Sequence, residues 1–134
     1  MDITIKAGLV AMGFVMLAVS SHAQAQQATE QYSESMTDKY SQKTLLKNWA
    51  LSVCLAQISK DPTSKEDAGA TASAYMEFGH QRIEAYDALR ELADRYAKRR
   101  YGGSIKSEFN TMKCIDLFHS KELDDLATKF SKAK

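Results

Sequence analysis

The stretch "LLKNWALSVCLAQI" (residues 45–58) decides the fold, because its apolar side chains cover most of the circumference of a helix. A helix that is apolar on more than one side is buried on more than one side. We therefore predict a central helix that begins near residue 39 and ends before Asp61 and Pro62, which break the pattern. The same pattern fits a dimer in which a second copy covers one side of this helix.

Two helices are predicted to follow it. The second runs from a capping-box start at Ser64 and Asp67 to about Phe78. The third begins after Gly79 and is the most regular segment of the chain, with Gly102 expected as the left-handed residue beyond its end. Its apolar side chains repeat at helical spacing and are Ile83, Tyr86, Leu89 or Ala88, Leu92 or Ala93, and Tyr96.

The last two helices are predicted over residues 105–118 and 121–130, with Ser120 as the N-cap of the second of them. The fourth helix is expected to turn one apolar stripe to the core, formed by Ile105, Phe109, Met112 and Ile115, with Cys114 and Leu117 beside it. No run alternates between apolar and polar residues for long enough to indicate a strand. The sequence therefore predicts an all-α fold, a compact single-domain bundle of about five helices.

The N-terminus has the pattern of a secretory signal peptide. Lys6 precedes an apolar run over residues 7–19, and "AQA" (residues 23–25) supplies the small residues of a cleavage site. The run of about a dozen apolar residues is short for a membrane span, which needs roughly twenty, although an uncleaved anchor is the alternative. The predicted segments are a signal peptide over residues 1–25, cleaved after Ala25, a polar leader over residues 26–38 and a helical domain over residues 39–134.

The two cysteines of the chain, Cys54 and Cys114, both follow the predicted cleavage site. An oxidising compartment makes such a pair more often bonded than free. We expect one disulfide between them, closing a loop of about 61 residues that is worth on the order of 4 kcal/mol in the chain-entropy model.

The charge balance argues against two classes of partner. The chain carries 18 basic and 17 acidic residues, and signal cleavage removes one of each. A nearly neutral protein lacks the concentrated basic surface that nucleic acid or an anionic membrane would need, so neither is expected as a partner.

The third helix carries a ridge of acidic residues, Glu84, Asp87, Glu91 and Asp94. Two interpretations stay open: the ridge is a solvated helix face with ion pairs, or it binds a partner.

The sequence "KCIDLFHSKELDDL" (residues 113–126) contains a cysteine, a histidine and several acids, as a catalytic segment would. Cys114 and His119 are five residues apart and so lie on different faces of a helix, and a bonded cysteine is not a nucleophile. Neither His80 nor His119 stands in a metal-ligand spacing. We therefore predict no enzyme activity, no metal and no cofactor.

Two stretches of the sequence resemble a known family. Together, "MKCIDLFHSKEL" (residues 112–123) and "LLKNWALSVCLAQ" (residues 45–57) resemble the immunity proteins that neutralise type VI secretion amidase effectors, specifically the fourth amidase-immunity class (Tai-type, close to the Rap proteins). The stretches "SAYMEF" (residues 73–78) and "ALRELADRYAKRRY" (residues 88–101) support it. The resemblance covers residues 45–126.

The resemblance implies a periplasmic all-helical immunity protein, typically a homodimer, that sterically blocks a secreted peptidoglycan amidase. A loop between the third and fourth helices enters the amidase cleft in such proteins, and a helix of the second subunit adds contacts. Here that loop is Tyr101, Gly102, Gly103 and Ser104, with Arg100 and Lys106 at its edges. Tyr101 and the neighbouring arginines are the candidate binding hot spots.

Two other functions stay open at this point. A periplasmic chaperone-like or stress-response protein would expose apolar surface on acidification and would prefer no single amidase. A hydrolase with an unrecognised site would need Cys114 as a thiolate.

Overall fold

A computed structural model describes residues 34–132, which contain five α-helices and no strand, so the all-α prediction is confirmed. The helices are α1 (Gln42–Ile58), α2 (Pro62–Glu77), α3 (Ile83–Ala97), α4 (Asn110–His119) and α5 (Lys121–Lys132), preceded by a short 3-10 helix (Thr37–Lys39). In this part of the chain no helix is long and apolar enough to cross a membrane. The predicted signal peptide and residues 26–33 of the predicted leader lie outside it.

Helix α1 is the central element, as predicted, because all four other helices pack against it. Leu46, Trp49 and Cys54 of α1 are buried in one continuous core with side chains from α2 to α5. The Trp49 ring meets the Tyr86 ring of α3 edge to face, with 5.0 Å between the ring centroids. Most of the apolar circumference of α1 is thus covered within the chain, while Leu51, Leu55 and Ile58 are only partly buried.

The predicted disulfide is present. Cys54 of α1 and Cys114 of α4 are bonded across a sequence separation of 60 residues, and both side chains are fully buried. The bond joins the centre of the bundle to the helix that follows the longest connection in the described part of the chain. It therefore fixes the position of α4 relative to α1.

The helix ends follow simple hydrogen-bonding rules, which correct one prediction and confirm another. Helix α2 is capped by Asp61, whose carboxylate accepts from the Ser64 amide at 2.8 Å, with Pro62 in the first turn. The predicted capping box at Ser64 is wrong because this earlier cap already satisfies that amide. Ser120 caps α5 as predicted, its hydroxyl accepting from the Leu123 amide at 3.1 Å.

Gly102 does not end α3. Lys98 occupies the C-cap in a right-handed conformation, and its amide donates to carbonyls of α3. No glycine of the described residues has a positive φ angle. Two acids of the ridge on α3 form ion pairs, as the solvated-face interpretation expects: Glu91 with Arg95 at 3.8 Å and Asp94 with Lys98 at 2.6 Å.

The predicted start of the fourth helix is wrong. Helix α4 begins at Asn110 rather than near Ile105, and its buried side chains are Lys113, Cys114 and Leu117. The disulfide explains which side of α4 is buried, since turning Cys114 to α1 points Met112 and Ile115 away from the core. Of the apolar stripe that was assigned to the core, Ile105, Met112 and Ile115 are therefore exposed and Phe109 is half-buried.

Helix α5 is tied to α1 by charge as well as by packing. Asp124 accepts from Lys43 at 2.8 Å and from Lys47 at 3.3 Å. These two ammonium groups lower the pKa of the Asp124 carboxyl below its ordinary value of 3.8. A carboxyl with a lowered folded-state pKa stabilises the fold while it is ionised.

We expect loss of the disulfide to cost about 4 kcal/mol of unfolding free energy, because the unfolded chain regains the freedom that the cross-link removes. Urea denaturation of a variant combining Cys54→Ala and Cys114→Ala measures this loss. Reduced wild-type protein is the control, since it keeps both side chains and lacks only the bond. Equal urea midpoints for oxidised and reduced wild type would contradict the prediction.

The Asp124→Asn variant is expected to be less stable than wild type above pH 3.8, the ordinary pKa of this carboxyl. The difference should shrink as the pH falls through the lowered folded-state pKa, because Asp124 is then protonated in the wild type also. Denaturation midpoints across pH 2 to 7 (roughly the range in which carboxyls titrate) measure it. Asp125→Asn is the matched control, because Asp125 pairs only within α5, with Lys121. A pH-independent difference would contradict the assignment.

Candidate functional site

The connection between α3 and α4, residues 98–109, is the longest between helices in the described part of the chain. It is much longer than the predicted turn of residues 101–104, because α3 ends earlier, at Ala97, and α4 starts later, at Asn110. Every residue from 102 to 108 is exposed, and Ser104 and Ile105 form a bend. The predicted site residues, Arg100 to Ser104 and Lys106, all lie in this one loop.

The loop is held at both ends. At its start, the Arg99 amide donates to the Tyr96 carbonyl at 3.0 Å, and the Arg99 guanidinium lies over the Tyr96 ring at 3.4 Å from its centroid. At its end, Phe109 adopts a left-handed conformation with a φ angle of 50°. A residue other than glycine adopts this backbone conformation at a cost of roughly 1–2 kcal/mol, so the surrounding contacts must maintain it.

Phe109 packs back over the loop. A Cβ atom added to Gly103 would lie 3.1 Å from the Cζ atom of the Phe109 ring, so glycine allows this close approach. The Phe109 amide donates to the Ser107 hydroxyl at 3.1 Å. The middle of the loop is thereby brought against its C-terminal end.

An ion pair connects the loop to the turn between α1 and α2. The Lys60 ammonium lies 2.9 Å from the Glu108 carboxylate, which also accepts from the Asn110 side-chain amide at 2.8 Å. The hydrogen bond with Lys60 is the largest cause that lowers the pKa of Glu108. Both side chains are mostly exposed, so this pair positions the loop more than it stabilises the fold.

Tyr101 is attached to α4. Its hydroxyl donates to the Asp116 carboxylate at 2.5 Å. This hydrogen bond raises the pKa of the Tyr101 phenol, and the Arg99 guanidinium beside it acts in the opposite direction without reversing the shift. Tyr101 was predicted as a binding hot spot, but its polar group already has a partner within the chain.

Apolar side chains surround the loop on the side of α4. Ile105 is 72% exposed, Met112 47% and Ile115 50%, and Phe109 is half-buried between them. They line two open grooves, of about 1140 and 540 Å³, that share Phe109 and Met112 as a common wall. We call residues 100–106 together with Phe109, Met112 and Ile115 the loop face.

Two cations of the loop face are available for a partner. Within residues 34–132, Arg100 and Lys106 are exposed and form no ion pair. Two other charged residues of the connection are paired, Lys98 with Asp94 and Glu108 with Lys60. An exposed apolar surface bordered by uncompensated charge is typical of a protein-binding surface.

The residues considered for catalysis do not form a catalytic site. Cys114 is bonded to Cys54, which removes the thiolate that the hydrolase hypothesis requires. Asp124 binds two lysines of α1, and Asp116 binds Tyr101. Within the described residues no group of three or more His, Cys, Asp or Glu side chains is arranged to hold a metal ion.

Sequence reasoning missed part of the loop face. Met112 and Ile115 were recognised as an apolar stripe but were assigned to the core, and neither Asp116 nor Lys60 was connected with the loop. The spacing of Met112 and Ile115 from Cys114 could have indicated that they are exposed. When Cys114 faces α1, this spacing places both residues on other sides of the helix.

These features define a class of protein: a small, disulfide-linked helical protein with an anchored loop and exposed apolar side chains beside it. The family follows from comparison. The model of the Tai4 family, described as "Type VI secretion system (T6SS), amidase immunity protein", matches residues 44–127, and the chain belongs to this family.

Solved structures agree with this assignment. A chain from the effector–immunity system Tae4/Tai4 of Salmonella typhimurium is 54% identical, with 72% of this chain and 96% of that chain covered and a TM-score of 0.70. A chain from work on type VI-secreted toxins and self-resistance proteins in Serratia marcescens is 32% identical, covering 83% and 91%, also with a TM-score of 0.70. A chain of the Tae4–Tai4 complex from Enterobacter cloacae shares the fold at 24% identity, covering 73% and 99%, with a TM-score of 0.63. No curated protein matches the chain by sequence.

Proposed function

We propose that the protein is a periplasmic immunity protein that binds a type VI secreted peptidoglycan amidase and blocks its active site sterically with the loop face. The protein would act without catalysis of its own, protecting the producing cell and its kin. Export by the N-terminal segment and the disulfide both suit an oxidising periplasm. The family description and the effector–immunity structures of its relatives support this role.

The observation that carries the proposal is the anchored loop of residues 98–109. A steric inhibitor must present a segment that enters a cleft without a large loss of conformational entropy on binding. Here the contacts of Phe109, Tyr101 and Glu108 hold the ends of the loop while residues 102–107 stay exposed. Exposed Ile105, Met112 and Ile115 then supply apolar area beside the inserted segment.

The chaperone-like alternative is less well supported. Such a protein would use an adaptable surface that repacks around many clients. The loop face is instead attached to α4 and to the turn after α1 by specific hydrogen bonds and an ion pair. Binding to one amidase with no preference for unfolded proteins would separate the two functions.

The homodimer stays part of the proposal, on the strength of the family resemblance. The fully buried side of α1 is not available for its interface, whereas the partly buried Leu51, Leu55 and Ile58 are. Sedimentation equilibrium of the mature chain measures the oligomeric state directly. A monomer at micromolar concentration would remove the second subunit from the inhibitory mechanism.

The proposed function is tested with the mature chain, from Gln26 onward, and the amidase encoded by the same cell. We expect a stable complex and loss of peptidoglycan cleavage at a stoichiometric ratio. An unrelated cell-wall amidase is the specificity control and should stay active. Failure to bind or inhibit any peptidoglycan amidase would overturn the proposal.

Gly102→Ala tests whether the backbone of the loop enters a narrow cleft. A Cβ atom at Gly102 meets no atom within 4 Å in the isolated protein, so the unfolding free energy should not fall. Inhibition should weaken by tenfold or more, a factor that corresponds to about 1.4 kcal/mol, because the methyl group would meet the walls of the cleft.

Gly69→Ala is the matched control for this substitution. Gly69 lies in α2 and also has open space around its Cβ position, so the methyl group meets no neighbour there. Alanine should stabilise the helix by roughly 0.5–1 kcal/mol and leave inhibition unchanged. Equal inhibition by both variants would exclude close insertion at Gly102.

Arg100→Ala and Lys106→Ala test the two cations that have no ion-pair partner in the described part of the chain. We expect each to lower the association rate constant with the amidase several-fold at low salt and less at high salt, because peripheral charges mainly steer encounter. Stopped-flow binding measures the rates. Lys65→Ala, at an exposed position of α2, is the control. An unchanged rate in both loop variants would remove these residues from the interface.

A further inference from the structure

The contact between Tyr101 and Asp116 is the most direct connection between the loop face and the body of the protein. The Tyr101 hydroxyl donates to the Asp116 carboxylate at 2.5 Å across 15 positions of the sequence. Asp116 is itself exposed and lies on α4, two residues after Cys114. The acceptor thus stands on a turn of helix that the disulfide attaches to α1.

We propose that Asp116 is a positioning residue for inhibition: through Tyr101 it holds the start of the loop in the conformation that the amidase binds. This inference rests on the proposed function. It gives Tyr101 and Asp116 a joint role within the chain, in place of a direct contact between the Tyr101 hydroxyl and the effector.

The position of Tyr101 makes this hydrogen bond effective. Residues 102–107 follow it directly, and all are exposed, so few other contacts order them. The next fixed point is Gly103 under the Phe109 ring, and Lys60 holds Glu108 further along. Tyr101 is therefore the fixed point at the start of the exposed segment, and releasing it would allow the segment to sample many conformations before binding.

The Arg99 guanidinium supports the arrangement from the other side. It lies over the Tyr96 ring at the end of α3 and beside the Tyr101 hydroxyl. The Tyr101 hydroxyl consequently lies between a cation from the start of the loop and the carboxylate of α4 to which it donates.

A double-mutant cycle tests the joint role. Tyr101→Phe removes only the hydroxyl, and Asp116→Ala removes only the acceptor from an exposed helical position. We expect each to weaken amidase binding by about three- to tenfold, in keeping with a charge-assisted hydrogen bond at an exposed site. The combined variant should be no weaker than either one alone, because both remove the same interaction.

Two outcomes of the cycle would overturn the proposal. Additive losses would mean that Tyr101 and Asp116 contact the amidase independently. Unchanged binding in both single variants would mean that the hydrogen bond does not prepare the loop. Asp67→Ala, which removes an exposed carboxylate from α2, is the control and should bind as wild type does.

The isolated protein provides a second, independent test. Backbone amide order parameters from NMR relaxation should fall for residues 102–105 in Tyr101→Phe and in Asp116→Ala, and should not fall in Asp67→Ala. Unchanged order parameters would overturn the positioning role even if the wild type inhibits the amidase. If the wild type fails to inhibit, the proposed function fails while lowered order parameters would still establish the attachment of the loop.

Discussion

The disulfide between Cys54 and Cys114 is the constraint on which the rest of the structure depends. It joins the central helix to α4 inside the core, where both side chains are fully buried. Helix α3 packs on the same central helix, so both ends of the connection at residues 98–109 are fixed on one support. A twelve-residue connection of this kind would otherwise be the least ordered part of a small domain.

The same bond decides which side chains of α4 are exposed. Once Cys114 faces α1, Leu117 follows it into the core, and Met112 and Ile115 are left outside. Burying them would require the helix to rotate away from the disulfide. The domain thus keeps an apolar surface in contact with water next to the loop of residues 98–109. Exposed apolar area does not contribute to the stability of the fold, so a binding function explains this surface better.

The core of the fold could be predicted from the sequence because it depends on local patterns. The apolar circumference of α1, the repeat along α3 and the Ser120 cap each indicated the correct element, and the two cysteines, in a chain predicted to be exported, indicated the correct bond. Helix boundaries were predicted less well: Asp61 took the cap that Ser64 was expected to form, and α4 began five residues late.

The candidate site could be predicted only in part. Residues 101–104 were correctly placed between α3 and α4, with their role taken from the family resemblance, whereas Ile105 and Lys106 were wrongly assigned to the fourth helix. Periodicity marks Ile105, Phe109, Met112 and Ile115 as apolar, but it does not distinguish a face that packs on its own chain from one that packs on a partner. The left-handed conformation of Phe109 and the hydrogen bond between Tyr101 and Asp116 depend on tertiary contacts, which no local pattern encodes.

The crystal structure of the complex with the cognate amidase would test the account most directly. We predict that residues 100–106 lie in the catalytic cleft, that Ile105, Met112 and Ile115 are buried against its rim, and that Tyr101 still donates to Asp116. A complex in which the cleft is open and the amidase contacts only α2 or α5 would contradict it.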